Sequence, residues 1–312
     1  MKRRMFGMMV VIIMLMSGCQ SGTDLDAYRA AVEKTDAATS GNSEFKLTIN
    51  NEFNLKESTP ESQKAMALFE RIVFSTATRF DETRIQSDLY LNFGGIGFDA
   101  SYYRDGELEF MKLPLVGKYM KLDEIDPGMA IDSDLLESFD PVGKEWLRMM
   151  REENIFKGKR HVLSTADGDV KVTRFSIELT DEQIQQGLAL IADLIEENEE
   201  EILASGFFGE TNQKNGHQLI QEAAESVRSV RFEDFVYTTD IDIDGYVIQS
   251  EFSGILKVGD GEDGITRVTV QSLNWGFNQE PEFSIPTPQA DEWADQEDLR
   301  TDSFFSMDIL GK

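Results

Sequence analysis

The chain has 312 residues, 58 of them acidic against 30 basic, for a formal net charge of −28; 40% are hydrophobic and 10% aromatic. That suffices for the core of one large domain or two small ones, and so acidic a surface repels nucleic acid and anionic headgroups while favouring cations. The single cysteine excludes an internal disulfide, and two histidines, His161 and His217, without HExxH or HxH spacing leave zinc no obvious ligand set.

The chain opens with Lys2, Arg3 and Arg4, an uncharged run from Phe6 to Met16, and then Ser17, Gly18 and Cys19. This is the layout of a secretory signal, too short in its apolar part to span a bilayer as a helix. It resembles the bacterial lipoprotein signal, whose lipobox ends in Gly/Ala-Cys, although Met16 stands where leucine is commonest. The resemblance implies a diacylglyceryl group on the Cys19 sulfur and cleavage just before it. The product would be held by its lipid on the extracytoplasmic face of the cell membrane. Without Lys2, Arg3 and Arg4 the basic residues fall to 27 against 58 acidic, a net charge of −31.

Thr23 to Lys34 is expected to be a helix, with Thr23 as its cap, Asp24 and Asp26 at its start, and Leu25, Tyr28 and Val32 at helical spacing. From Phe45 the period becomes two. Phe45, Leu47, Ile49, Phe53 and Leu55 alternate with polar residues, which predicts a strand with one dry face. Residues 57–66 are a polar insertion with a helical turn after Pro60, and strand character resumes over Arg71 to Phe80. A hairpin follows over Ile85 to Tyr102. A two-residue Gly94-Gly95 turn pairs Phe93 with Ile96, Leu91 with Phe98 and Leu89 with Ala100, which collects the apolar side chains on one face. Another strand pair spans Leu108 to Leu122, broken at Pro114 and Gly117.

Asp140-Pro141 predicts the start of a helix through Trp146, Met149 and Met150. His161 falls in a strand-like stretch, and a short strand runs near Val170 to Ile177. Thr180-Asp181-Glu182-Gln183 reads as a capping box before Ile184, Leu188, Ile191 and Ile195, with Gly206 as a plausible stop. A helix from about Gly216 to Ser229 leads into strands over Arg231 to Asp242, Tyr246 to Val258, Ile265 to Gly276 and Glu282 to Ile285.

One segment imitates a calcium loop. Asp240-Ile-Asp242-Ile-Asp244-Gly245, five residues and then Glu251 fit D-x-[DN]-x-[DN]-G-x5-E, with Val247 at the usual hydrophobic position. An EF-hand needs a helix on each side, yet Phe235, Tyr237, Ile241 and Ile243 alternate before the turn, and Tyr246, Ile248 and Phe252 recur at even spacing after it. A hairpin with a two-residue Asp244-Gly245 turn explains the pattern better, pairing Ile243 with Tyr246, Ile241 with Ile248 and Tyr237 with Phe252. It leaves Asp240, Asp242 and Glu251 on the opposite face, where weak Ca²⁺ binding stays open. No G-x-S-x-G elbow or Walker loop appears, and among 58 acidic residues no glycosidase-type pair stands out. The expectation is a non-enzyme with no catalytic residues, no metal and no cofactor.

The order is helix, antiparallel meander, helices, second meander. It resembles the half-barrel lipoproteins related to the outer-membrane lipoprotein carrier and the mycobacterial lipid-carrier lipoproteins. The residues that carry the resemblance are the N-terminal helix, Tyr103-Arg104-Asp105-Gly106 through Lys118-Tyr119-Met120-Lys121-Leu122, Phe175 to Gln183, the hairpin at Asp244-Gly245, and Ile285-Pro286. It covers about 26 to 290; the chain departs from it in its length, its acidity and the insertion at 57–66. The resemblance implies an α+β fold in which a strongly curved antiparallel sheet, a half-barrel, wraps around a few helices and holds a lipid or similar hydrophobic ligand. The inward faces would line the hollow with Phe45, Leu47, Ile49, Leu89, Leu91, Phe98, Ile241 and Ile248. The division expected is a signal peptide over 1–18, a lipidated tether over 19–23, one domain over 24–290 and an acidic tail over 291–312. The alternative is a non-enzymatic cell-envelope interaction protein with a filled core and an acidic surface for a partner protein or cations. A nucleic-acid partner is not expected under either reading.

Overall fold

The computed structural model describes residues 22–53, 59–112, 117–122, 140–204, 209–257 and 264–294. Cys19, the signal ahead of it and the stop expected at Gly206 lie outside these. Helix α1, Asp24–Asp36, starts where its sequence dictates. The Thr23 hydroxyl accepts from the Asp26 amide at 3.1 Å, and the Asp26 carboxylate accepts from the Thr23 amide at 3.0 Å. The other helices are α2, Pro60–Ala67; α3, Asp140–Met149; α4, Asp181–Glu197; α5, Glu199–Ala204; and α6, Gly209–Ser229. Helix α4 also begins in a capping box, between Thr180 and Gln183. None of the described helices is long and apolar enough to cross a membrane.

The strands are β1, Gly41–Phe53; β2, Arg71–Phe80; β3, Arg84–Phe93; β4, Ile96–Asp105; β5, Leu108–Lys112; β6, Tyr119–Lys121; β7, Ile155–Thr165; β8, Gly168–Ile177; β9, Arg231–Asp242; β10, Val247–Lys257; and β11, Gly264–Trp275. They form one unclosed antiparallel sheet in the order β6-β5-β4-β3-β2-β1-β11-β10-β9-β8-β7. Strand β1 sits near the middle and joins the two meanders. The fold is therefore α+β, built on a single curved sheet against which α1 and α4 pack.

The β3–β4 register is the one read from the sequence. Phe93 faces Ile96, Leu91 faces Phe98 and Leu89 faces Ala100, with Gly94 at φ 57° and Gly95 at φ 82°. The β9–β10 turn differs from its expectation. Tyr237 does face Phe252, but Ile241 faces Val247, and the ladder then slips to Asp240 opposite Gln249. Asp242 donates its amide to the Tyr246 carbonyl at 3.0 Å, so Ile243, Asp244 and Gly245 all lie in the loop. Gly245, at φ 85°, closes this longer loop, and Ile243 is 76% exposed instead of paired inward. The Asp242 side chain drives the change by accepting the Tyr246 amide at 2.8 Å.

Following paired residues across the ladders separates the two faces. Phe45, Leu47, Ile49, Leu89, Leu91 and Phe98 share the inner, helix-bearing side with Phe74, Val270 and Phe252. On the β7–β10 half this face meets α1 and forms a core from Leu25, Tyr28, Ile155, Phe175, Ile177, Ile241 and Val247. On the β3–β6 half the buried cluster is on the outer side, where Tyr103, Phe110 and Tyr119 pack against Ile285 and Trp293. The strand expected over Glu282 to Ile285 is not formed. That segment is a strap tied by the Ser284 amide to the Gln86 side chain at 2.8 Å. The strap runs on to Ala294, past the expected start of the tail at 291, because Trp293 bridges to Tyr119 in parallel.

Candidate functional site: the hollow between sheet and helix

A hollow of about 390 Å³ lies between the inner face of the sheet and α4. One wall is Phe45 from β1, Val270 and Ser272 from β11, Ser250 and Phe252 from β10, and Phe232, Phe235 and Tyr237 from β9. The other wall is Ile184, Gly187, Leu188 and Ile191 from α4, with Trp146 from α3. No charged side chain is among these lining residues. Two of the polar groups present are already engaged. Ser250 shares a hydrogen bond with Thr239 at 3.2 Å, and the Tyr237 hydroxyl pairs with that of Tyr28 at 3.1 Å. Burial, reinforced by Tyr237, pushes the Tyr28 hydroxyl far above the ordinary tyrosine range, so it stays neutral.

The aromatic wall depends on a break in the strand period. The β9–β10 ladder shifts between Ser253↔Val236 and Ile255↔Glu233, with Asp234 at φ 51°. The bulge brings Phe232 and Phe235, three residues apart, onto one side, with their rings 5.6 and 5.2 Å from that of Phe252. Gly254 lies beneath: a side-chain carbon there would come within 3.1 Å of the Phe232 ring. On the helix side Gly187 does similar work. A methyl at 187 would overlap the Trp146 ring, so glycine lets that ring lie against α4.

A polar knot below the hollow holds its helical wall. Asn154 and Gln183, both buried, exchange amide hydrogen bonds at 3.2 and 2.8 Å. Asn154 also donates to the Glu178 carbonyl at 2.7 Å, and Gln183 to the Met149 carbonyl at 2.7 Å. The knot ties the end of α3, the turn before β7, the end of β8 and the start of α4. Buried amides satisfied in this way rigidify, whereas a half-satisfied knot would be costly.

Of the eight residues expected to line a hollow, Phe45 lies in its wall. Leu47, Ile49, Leu89 and Phe98 are half-buried along the same face, and Leu91 is 37% exposed there. Ile241 shares the face but is packed in the α1 core, and Ile248 is buried beside the bulge at the β9–β10 turn. Phe232, Val270 and the α4 glycine were not singled out by sequence reasoning, and Phe235 was read only as part of the apolar alternation before the turn. A larger depression of about 490 Å³ crosses β1 to β4 and takes in Phe45 and Leu89, but Glu44, Asp88 and Asp99 in its lining suit it poorly to an apolar molecule.

Of the three acidic residues in the calcium-like segment, Asp240 and Asp242 are already engaged. Asp240 is 2% exposed and takes a bidentate pair from Arg174 at 2.7 and 3.0 Å, with His161 at 3.5 Å. Asp242 caps its own turn, and Glu251 lies opposite Thr238 on the outer face. His217 pairs with Glu199 at 2.7 Å. Among the described residues no group of three or more His, Cys, Asp or Glu could hold a metal ion. No protein-family model and no curated protein matches the chain.

Proposed function

We propose that the chain is a membrane-anchored extracytoplasmic lipoprotein that holds a hydrophobic ligand, a lipid or similar molecule, in the hollow between its half-barrel sheet and α4. The observation that carries this reading is the uncharged, aromatic lining of a cavity of about 390 Å³, within the range of small-molecule sites. A packed core would have closed that space at this density of large side chains. The half-buried apolar face continuing from Phe45 to Leu89, Leu91 and Phe98 gives a long molecule somewhere to extend. The Cys19 signal supplies the location. The half-barrel lipoproteins named above offer a functional parallel, in which the chain binds a ligand without transforming it. The interaction-protein alternative needs a filled core, which the hollow does not favour.

The test is direct. An apolar fluorescent probe such as N-phenyl-1-naphthylamine should brighten on binding the purified chain and be displaced by a fatty acid. Val270→Trp, which fills the hollow from β11, should lower probe affinity about tenfold or more while the fold survives by circular dichroism. Unchanged probe binding in Val270→Trp would count against the site, and no binding by the native chain against the function.

A further inference from the structure

We infer that the β7 edge of the sheet is the surface turned toward the membrane, where Lys157, Lys159 and Arg160 meet anionic lipid headgroups and Phe156 and Val162 enter the interface. The inference rests on the reading of Cys19 as the anchor, and adds an orientation that the anchor alone does not give.

The first observation is where the tether leaves the fold. Thr23 caps α1, and the Asp24 amide donates to the Glu152 side chain at 3.3 Å, at the turn that leads into β7. Leu25 and Ile155 lie in one buried cluster. Four peptide steps from Thr23 to Cys19 reach at most about 14 Å. A lipid on Cys19 therefore keeps the start of β7 within a short distance of the bilayer surface.

The second observation is the charge found there. In a chain of net charge −28, Phe156 to Arg160 are consecutive exposed residues and three of them are cationic. None of those three has an ion-pair partner among the described residues, and neither has Lys171, opposite Val162 on β8. Several arginines elsewhere are matched, Arg84 with Asp81, Arg174 with Asp240, Arg228 with Glu196 and Asp193, Arg267 with Glu52. Arg71, Arg79 and Arg104 are single cations without such a pair among the described residues, so what sets the β7 edge apart is three cations within residues 157–160. Asp24, Glu152 and Glu153 sit at the entry to the strand, so the positive field is centred beyond them.

The third is apolar exposure at the same edge. Phe156 is 48% and Val162 57% exposed, one on each side of the cationic run. Cations with flanking apolar side chains suit an anionic interface. Lysines on an edge strand also guard against strand pairing, a role that makes no claim on lipid and is separated by the experiment.

Cys19 would be alkylated, so an introduced cysteine is the one free thiol. Val162→Cys and, at the far end of the sheet, Leu108→Cys are labelled with bimane in the lipidated full chain. Each is bound to vesicles of phosphatidylcholine and phosphatidylglycerol carrying a headgroup-level nitroxide lipid. Fluorescence at 162 should fall by about half or more and that at 108 should hold. Lys157→Glu, Lys159→Glu and Arg160→Glu together should relieve the quenching at 162 while the protein still floats with the vesicles. Flotation without preferential quenching at 162 overturns the orientation alone. Quenching that survives charge reversal, or is equal in pure phosphatidylcholine, overturns the headgroup contact. Failure of the native chain to float overturns the anchor reading and the orientation with it.

Discussion

The two halves of the sheet solve burial in opposite ways. Over β7–β10 the inner face is dry where α1 meets it, short of the stretch of β9 and β10 that lines the hollow. Helix α1 covers it, and Tyr28, Phe175, Ile177 and Ile241 are each 6% exposed or less. Over β3–β6 the dry cluster is on the outer face, where Phe110 is 1% exposed beneath the strap that carries Ile285 and Trp293. The inner face of that half keeps Leu91 and Ile96 at 37% exposure. Helix-to-sheet packing among the described residues centres on α1 with β7 and β10 and on α4 with β9. One half is thus anchored from inside and the other from outside. The hollow lies where the inner covering thins out, between α4 and the middle strands. A sheet stabilised from outside can leave apolar surface open within, a feature a binding protein can use.

The largest effect should come from the outside anchor. Phe110→Ala removes a ring stacked 5.0 Å from Tyr103 and set edge-on to Tyr119 and Trp293. It should cost about 3–5 kcal/mol, read by urea unfolding. A loss as small as that of a surface change would mean the strap is not what holds this half.

Asp81 sharpens the picture at the turn between β2 and β3. Burial acts to raise its pKa, but the Arg84 side chain and the Thr83 and Arg84 amides outweigh it and hold the carboxyl at about 2. Arg84 reaches on to Glu280 at 3.6 Å, just ahead of the strap, and stacks over Phe283 within it. A depressed native pKa contributes stability above the ordinary carboxylate range, and that stability is lost as pH falls from about 4 toward 2. Asp81→Asn should therefore cost on the order of 1 kcal/mol at pH 7, with the gap to the native chain closing near pH 2. Parallel stability profiles across that window would contradict the assignment.

The smallest effect on stability should come from the open inner face. Leu91→Ser should change unfolding free energy by about 0.5 kcal/mol or less, yet weaken binding of a long-chain fatty acid severalfold if the ligand extends past Phe45. A large stability loss there would instead mean that this face is packed.

Much of this was legible in the sequence, for local reasons. Thr23 and Thr180 announce their helices because a capping box is satisfied within four residues. The β3–β4 register was readable because strict alternation on both sides of Gly94-Gly95 leaves one pairing with a dry face. Legibility failed where the period breaks. Strand β7 was legible only as a strand-like stretch at His161, because Lys157, Gly158, Lys159 and Arg160 run in a row through a ladder shift and no alternation marks its first half. Phe232 and Phe235 look out of phase until the bulge at Asp234 aligns them. Asp242 lengthens its loop with a side-chain hydrogen bond that strand periodicity does not contain. The hollow was visible only as an apolar face. Which part stays open depends on α4, Trp146 and Gly187, and on a strap whose contacts lie more than a hundred residues away in the chain.

The most direct test is native mass spectrometry of the chain extracted from its own membrane in mild detergent, beside Val270→Trp prepared in the same way. The account predicts a non-covalent apolar adduct on the native chain, in addition to any covalent lipid on Cys19, and its loss or marked reduction in Val270→Trp. A native chain that carries no adduct, or an adduct retained equally by the filled variant, would contradict a ligand in the hollow.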